Sequence, residues 1–314
     1  MLSFLKYMFI ATLRLGTPIA VTSMGGCFSQ RCGINNIGLD AQMTMGALMG
    51  VCGSFWFKNA WMGVLVGMLA GVVMGVIHGF VVNTCGAPMA VSSQAMIMFS
   101  QGLTIIVLFA VFGNIGYSDQ VASISSTPIL ANIPLVGDML SQLSPLVYLG
   151  LILLAAFNFL LYKTPAGLHM QSCGEHPRAA DTAGINVTLY RYLGVITSGA
   201  LGGLGGAMLS IGYMNLFQDG MIAGRGFLAL GAISLGGHTL KGAYTAGLLF
   251  GFFDALQLYV QTTNMPIPSQ FVQMIPYLAS LLVIIFASGE RKNSRRGIPP
   301  AALGQPYSKI SGTR

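Results

Sequence analysis

Apolar residues run along this chain in long blocks that are separated by short polar connections. About nine blocks stand out, most of them near the ~20 residues that a tilted helix needs to cross hydrocarbon. They cover roughly residues 8–25, 37–55, 60–82, 88–112, 143–163, 190–213, 226–237, 241–261 and 270–288. The pattern predicts an all-α polytopic membrane protein with about nine (8–10) transmembrane helices. Segment 226–237 is too short to span alone, so we expect a half-helix there, or irregular backbone shielded inside the protein.

The distribution of charge supports this class and suggests an orientation. Charged residues make up 7% of the chain, against about 25% in an ordinary soluble domain. The net charge of +7 does not indicate nucleic acid, because six of the fifteen Lys and Arg lie in the last 24 residues. Basic connections favour the cytoplasm, which places 164–190 and 289–314 inside and 114–142 outside. We expect one transmembrane domain, 1–288, followed by a basic cytoplasmic tail, 289–314, and nine spans would put the N-terminus outside.

Two stretches of the chain resemble each other. MTMGALMG at 43–50 precedes a helix with glycines every four residues, and LALGAISLGG at 228–237 precedes a similar helix. In the expected topology they run in opposite senses, so they predict an inverted repeat with halves of about 30–113 and 190–288. Transport paths form at the midplane between such halves. The alternative is that glycine-rich membrane helices resemble each other by chance.

Polar side chains inside apolar segments are costly in lipid and often face a path or a partner. Two interpretations stand for them: the lining of a permeation path, and hydrogen bonding between helices. The two are about equally supported for Gln94 and Asp254. The candidate path residues are Asn35, Asp40, Gln94, Asp254 and Gln257.

The chain contains no pattern that predicts catalysis or metal binding. It has no phosphate-binding loop, so we expect no nucleotide hydrolysis by this chain. His169, Cys173 and His176 match no strong zinc spacing,. We expect Cys27 and Cys32 to be buried thiols and not a disulfide.

Residues 174–191, GEHPRAADTAGINVTLYR, concentrate charge in a chain that has little of it. Pro177 suits the first position of a helix, with His176 as a possible N-cap. Gly184 suits the left-handed position after a helix, and Asn186 can cap the next one. We therefore predict a helix of about two turns. It is either a solvated connector or a docking element, since so short a helix is marginal unless it packs on something.

The same region carries a family resemblance. GEHPRAADTAGINVTLYRYLGVITSGALGGLGGAML resembles the coupling loop and following helix of ABC importer permeases of the ribose and branched-chain amino acid permease superfamily. GGCFSQRCGINNIGLDAQMTMGA, GRGFLALGAISLGG, FGFFDALQ and the tail PPAALGQPY resemble its nucleoside, or simple sugar, branch, which basic-membrane-protein-type binding lipoproteins serve. The chain departs from that branch at Gln30-Arg31, where a glutamate is frequent, and at Asp40-Ala41, where Glu-Gly is frequent.

The resemblance implies a permease subunit in a bacterial cytoplasmic (inner) membrane, with a cytoplasmic C-terminus and a nucleoside or related ribosyl compound as solute. It implies three partners: a cytoplasmic ABC ATPase, a second homologous permease subunit in a homo- or heterodimer, and an extracytoplasmic substrate-binding lipoprotein. It implies no cofactor on this chain, since ATP and magnesium belong to the ATPase. The residues expected to couple to that ATPase are Gly174, Glu175, His176, Pro177, Arg178, Ala179, Ala180 and Gly184.

Other functions are also compatible with the sequence. The same machinery could carry a simple sugar or a riboflavin-like solute. An ion-coupled secondary transporter would need no docking helix but would need a buried carboxylate, for which Asp254 is the best candidate. A membrane scaffold without a path is a further alternative.

Overall fold

The computed structural model describes residues 2–124, 141–262, part of 271–285 and 298–307. In these residues the fold is helical throughout, with ten α-helices. They are α1 Leu2–Arg31, α2 Leu39–Phe57, α3 Ala60–Gly79, α4 Met89–Phe112, α5 Pro145–Lys163, α6 Pro165–Glu175, α7 Pro177–Thr182, α8 Val187–Leu209, α9 Arg225–Leu235 and α10 Leu240–Thr262. Single π-helical turns, Phe80–Thr84 and Ser210–Met214, extend α3 and α8.

Six of the described helices are long and apolar enough to cross a membrane, so the protein is a multi-pass membrane protein. They are α1, α3, α4, α5, α8 and α10. The predicted segment 226–237 is an 11-residue half-helix, α9. The predicted span 270–288 lies largely outside the described residues.

Local sequence explains where several helices begin. The side chain of Asn59 accepts a hydrogen bond from the Trp61 N–H at 2.9 Å and caps α3. Asn186 accepts one from the Leu189 N–H at 3.1 Å and caps α8, as the sequence predicts. α5 and α6 begin at a serine or threonine followed by proline, which suits a first helical position whose N–H has no partner in the helix,.

The connection 164–190 contains more helix than the sequence predicts. It contains a further helix, α6, before the expected short helix α7. Pro177 begins α7, and Gly184 adopts the left-handed conformation just after it. The His176 side chain does not cap α7 by a hydrogen bond, so that part of the prediction is wrong. Cys27 and Cys32 are free and buried, as predicted.

Glycine faces hold the membrane helices together. Gly67 and Gly71 of α3 lie against Gly203 and Gly199 of α8, with backbone close to backbone. Across the bundle, Gly247 and Gly251 of α10 lie in the same way against Ala20 and Gly16 of α1. Small residues allow such close approach, which supplies van der Waals packing where lipid gives no hydrophobic force between helices.

The helix bundle has two ends, which we term the α7 end and the far end. The α7 end carries α6, α7 and the start of α8, and it includes Arg31 at the end of α1, which lies against Gly174. The far end carries residues 118–124, which hydrogen-bond to residues 211–217 at the end of α8.

The packing predicts that a single methyl group at Gly71 destabilises the fold. A Cβ there would overlap the carbonyl of Gly199 and the backbone of Gly203. We expect Gly71→Ala to cost about 1–3 kcal/mol through overpacking and to lower the thermal unfolding midpoint of the detergent-solubilised protein. The matched control is Gly102→Ala on α4, where nothing lies within 4 Å of an added Cβ. Equal midpoints for the two variants would contradict the packing argument.

Candidate functional site

Two helices begin inside the bundle, next to each other. Asp40 lies in the first turn of α2, and its Oδ1 accepts a hydrogen bond from the N–H of Gly226, the second residue of α9, at 3.1 Å. The approach requires glycine, because a Cβ at position 226 would overlap the backbone of Asp40. The carboxylate of Asp40 therefore lies at two helix N-termini, where the helix dipoles favour negative charge.

From this junction the two helices run to opposite ends of the bundle. α9 leads to the α7 end, where Arg31 Nε donates to the carbonyl of His238 at 2.8 Å. α2 leads to the far end, where Ser54 Oγ donates to the carbonyl of Ala122 at 2.8 Å. Both helices therefore begin between the two ends of the bundle and are half-buried or buried over most of their length.

A partly buried ion pair fixes the first residue of α9. Arg225 Nε lies 2.9 Å from Asp254 Oδ2 on α10, and the Asp254 side chain is 7% exposed. The same guanidinium donates from NH1 to the carbonyl of Met221 at 3.1 Å. Consecutive residues, Arg225 and Gly226, thus contact the two predicted path carboxylates, so the structure brings Asp40 and Asp254 together.

A cavity of about 520 Å³ opens beside this junction. One wall is α4, and the opposite wall is the segment 217–224 that leads into α9. The lining mixes apolar faces with a few polar groups, which is typical of small-molecule sites. The lining residues are Asp40, Thr44, Met98, Gln101, Gly102, Ile105, Phe217, Asp219, Gly220, Met221, Ile222, Ala223 and Gly224.

The remaining predicted path residues lie apart from this cavity. Gln94 is exposed on α4, one and two turns before the lining residues Met98 and Gln101 on the same helix face. Asn35 lies towards the α7 end, where its Oδ1 accepts a hydrogen bond from Gln30 Nε2 at 3.3 Å. Gln257 is half-buried on α10, one turn beyond Asp254.

A second polar cluster, which the candidate residues do not include, lies between the junction and the α7 end. Asn36 Nδ2 donates to Ser198 Oγ at 2.9 Å and to Gln42 Oε1 at 3.2 Å. All three side chains are fully buried, and Gln42 Nε2 has no partner among the described residues. Polar residues within an apolar segment are the sequence signal for this cluster, but only the fold shows that Ser198 joins it.

The predicted ATPase-coupling residues form a corner between α6 and α7. Arg178 and Ala179 are exposed, whereas Gly174 and Ala180 are buried. Gly184 ends the corner with a left-handed φ of +84°. Among the eight predicted coupling residues, the exposed ones therefore form an outer surface and the buried ones pack beneath it.

Residues 298–307, which we term the tail segment, pack against this corner. Glu175 Oε2 accepts a hydrogen bond from the Ala301 N–H at 3.1 Å. Between them lies an open groove of about 650 Å³, lined by 175–179 on one side and by Ala301, Ala302, Gln305, Pro306 and Tyr307 on the other. Burial and the neighbouring Asp181 carboxylate raise the pKa of the Tyr307 phenol above its ordinary value.

Comparison with known proteins places these features in a family. Residues 8–287 match the model of the family described as branched-chain amino acid transport system / permease component. The chain is 35% identical to a nucleoside ABC transporter permease of Lactococcus lactis, over 93% of this chain and 94% of the relative. It is 34% identical to a guanosine ABC transporter permease of Bacillus subtilis, over 95% of each chain. It is 29% identical to a putative glucose ABC transporter permease of Haloferax volcanii, over 98% and 99%. No solved structure matches the chain.

ABC permeases are non-catalytic transport subunits that carry no cofactor, because a partner ATPase binds the ATP. An importer of this family also implies a substrate-binding protein. The family model covers most of the chain, and the relatives cover nearly all of it. The protein therefore belongs to the family of branched-chain amino acid transport system permease components, and it is a permease subunit of an ABC transporter.

Proposed function

We propose that this permease moves a nucleoside or a related ribosyl compound along a path that passes the starts of α2 and α9. The observation that carries the proposal is the junction itself: two helices begin side by side at mid-depth, next to a cavity of about 520 Å³. Discontinuous helices of this kind form solute sites near the midplane of transporters.

The packing supports an inverted repeat whose first unit begins earlier, at α1, than the predicted half 30–113. α1 and α8 are each long helices followed by a non-helical entry, a helix that begins at mid-depth, and a glycine-stepped helix. The glycine-stepped helix α3 packs on α8, and its counterpart α10 packs on α1. The third helix of each unit thus packs on the first helix of the other. This packing fits two units, α1–α2–α3 and α8–α9–α10, which run in opposite senses. Rocking of one unit against the other would expose the junction alternately to the two sides.

The chemistry of the cavity suits a nucleoside. Met98, Ile105 and Met221 offer apolar surface for a base, and Gln101 and Thr44 offer hydrogen-bonding groups for ribose hydroxyls. The relatives from Lactococcus and Bacillus are named for nucleoside and guanosine transport. Asp40 faces the cavity, Gln94 extends the same face of α4, and Asn35, Asp254 and Gln257 continue the polar groups towards the ends of the path.

The orientation and the partners complete the proposal. We place the α7 end in the cytoplasm of a bacterial inner membrane, where the exposed face of α7 would dock on the ABC ATPase. The far end would meet an extracytoplasmic binding lipoprotein. A second homologous permease subunit would complete the pair of permeases in the transporter.

Uptake by the assembled transporter tests the solute. The permease, reconstituted in liposomes with its ATPase, second permease and binding protein, should accumulate radiolabelled guanosine or uridine only with ATP. Excess unlabelled nucleoside should abolish the signal, whereas glucose, riboflavin and leucine should leave it unchanged. If glucose is the only compound that competes, the transported solute is a sugar and not a nucleoside. Uptake that follows a proton gradient without the ATPase would overturn it.

We expect Arg178→Ala to weaken coupling to the ATPase. Arg178 is exposed at the start of α7, where a docked partner would cover it. Loss of one such anchor should reduce solute-stimulated ATP hydrolysis and uptake roughly tenfold, equivalent to about 1.4 kcal/mol, without lowering the amount of permease in the membrane. Lys163→Ala is the control, since it removes an exposed charge outside α7. Equal losses in both variants would argue against a docking role for α7.

We expect the ion pair between Arg225 and Asp254 to serve transport as well as folding. Asp254→Asn should cost about 3 kcal/mol of stability, because it leaves a partly buried guanidinium without its counter-charge. In the double variant Arg225→Met/Asp254→Leu, apolar side chains replace the whole pair, which should restore the thermal stability but not the uptake. If the double variant also restores uptake, the pair is structural and Asp254 does not belong to the path.

A further inference from the structure

Three hydrogen bonds join the tail segment to two separate parts of the α7 end. The Ala302 N–H donates to the carbonyl of Gly174 at 3.0 Å, and the Gly304 N–H donates to the carbonyl of Gly33 at 3.0 Å. The Ala301 N–H donates to the carboxylate of Glu175. These bonds connect the tail segment with the end of α6 and with the chain that follows α1, so its position depends on both.

Close packing beneath the tail segment makes these contacts specific. A Cβ at Gly174 would overlap the carbonyl of Arg31, and a Cβ at Gly33 would lie 3.1 Å from an Arg191 guanidinium nitrogen and 3.5 Å from the Ala302 carbonyl. Gly33 also has a φ of +88°, which favours glycine,. The tail segment thus packs into a site that tolerates little change in shape.

A buried arginine anchors the other end of the tail segment. Arg191, in the first two turns of α8, is 1% exposed, and its NH1 donates to the carbonyl of Gln305 at 3.2 Å. The guanidinium carbon lies 5.6 Å from the centre of the Tyr307 ring, within the range of a cation–π contact,. Its Nε and other terminal nitrogen have no hydrogen-bond partner among the described residues. A buried cation is costly unless polar or aromatic groups surround it, and here the Gln305 carbonyl and the Tyr307 ring do so,. The tail segment and Arg191 therefore stabilise each other.

Beside these anchors the outer face of the tail segment stays open. Ala301, Gln305 and Pro306 are exposed, and they form one wall of the 650 Å³ groove. The other wall is the beginning of α7, including Arg178. A protein that docks on the exposed face of α7 would therefore also meet the tail segment.

We propose that the tail segment is the second wall of the ATPase-docking surface and that it holds α7 in position against α1 and α8. The inference rests on the proposed docking of α7 on the ATPase and adds a second, sequence-distant element to it. The occupant of the groove is a protruding element of the ABC ATPase subunit. Continuity of the groove with α7 identifies it, since both walls belong to one surface.

Thiol labelling of the full-length chain tests this surface. In a Cys85→Ser background, which removes the exposed cysteine among the described residues, single cysteines replace Gln305, Arg178 or Gln120. Gln305 reports on the tail segment, Arg178 on α7, and the exposed Gln120 on the far end. The rate of maleimide labelling is measured for the purified permease complex with and without its ATPase. With the ATPase at about ten times the dissociation constant measured for each variant, Gln305→Cys and Arg178→Cys should both label about tenfold more slowly.

The three positions separate the two proposals. Protection at 178 with unchanged labelling at 305 would overturn the role of the tail segment while leaving α7 as the dock. Unchanged labelling at both positions would overturn the proposed docking itself. Equal protection at Gln120→Cys, at the opposite end of the bundle, would show that the effect is not local and would also count against the tail segment.

The positioning role has its own measurement. Ending the chain after residue 297 removes the tail segment and should lower the solute stimulation of ATP hydrolysis about tenfold. Tyr307→Phe keeps the ring over Arg191 and should behave as the unchanged protein, whereas Tyr307→Ala should follow the truncation in part. Full stimulation in both the truncated chain and Tyr307→Ala would refute the positioning role.

Discussion

The hydrogen bond from the Gly226 N–H to the Asp40 carboxylate joins the starts of two helices inside the bundle. A helix that begins at such depth exposes N–H groups that have no partner in the helix and no water in the hydrocarbon. The first three residues of α9 all have such partners: the Arg225 N–H bonds to the Ile222 carbonyl, the Phe227 N–H to the Gly224 carbonyl, and the Gly226 N–H to Asp40. The tight turn at 222–224 and the carboxylate are thus what permit a half-helix here, and with it the cavity.

The same constraint explains how an acid can be buried at this position. Asp40 has no basic side chain as a hydrogen-bond partner among the described residues, yet it is only 8% exposed. Two helix N-termini converge on it, and their combined dipoles supply positive potential without a mobile cation. Arg225 instead forms its ion pair with Asp254 on the neighbouring helix. The junction therefore keeps its charges balanced while it leaves polar groups beside an open cavity.

Sequence reasoning predicts the elements of this fold well and their meeting points poorly. Block hydropathy locates eight segments that become helices, and Pro177, Gly184 and Asn186 give the bounds of α7 and the start of α8. The sequence does not predict helix α6, because the charge in this region suggests a loop. Thr164 and Pro165 are nevertheless ordinary signals for the start of a helix. The partner of Asp254 stands 29 residues away and that of Asp40 stands 186 away, and no local pattern records either pairing. Likewise, the burial of Arg191 beneath the tail segment depends on contacts across more than a hundred residues.

A continuous set of contacts links the corner between α6 and α7 to the junction. Gly174 lies against the end of α1, where Arg31 and Gln30 bond to His238, just beyond the end of α9. Helix α9 is 11 residues long, which corresponds to about 16 Å of rigid helix, and its other end lies on Asp40 and Asp254. A displacement of the corner that moves the end of α1 would therefore tilt or shift α9 as a unit, since the N–H groups of Gly236, Gly237 and His238 hydrogen-bond back to α9. The ion pair and the Asp40 bond both lie at the end of α9 that borders the cavity, so they are the first contacts that such a movement would break or remake.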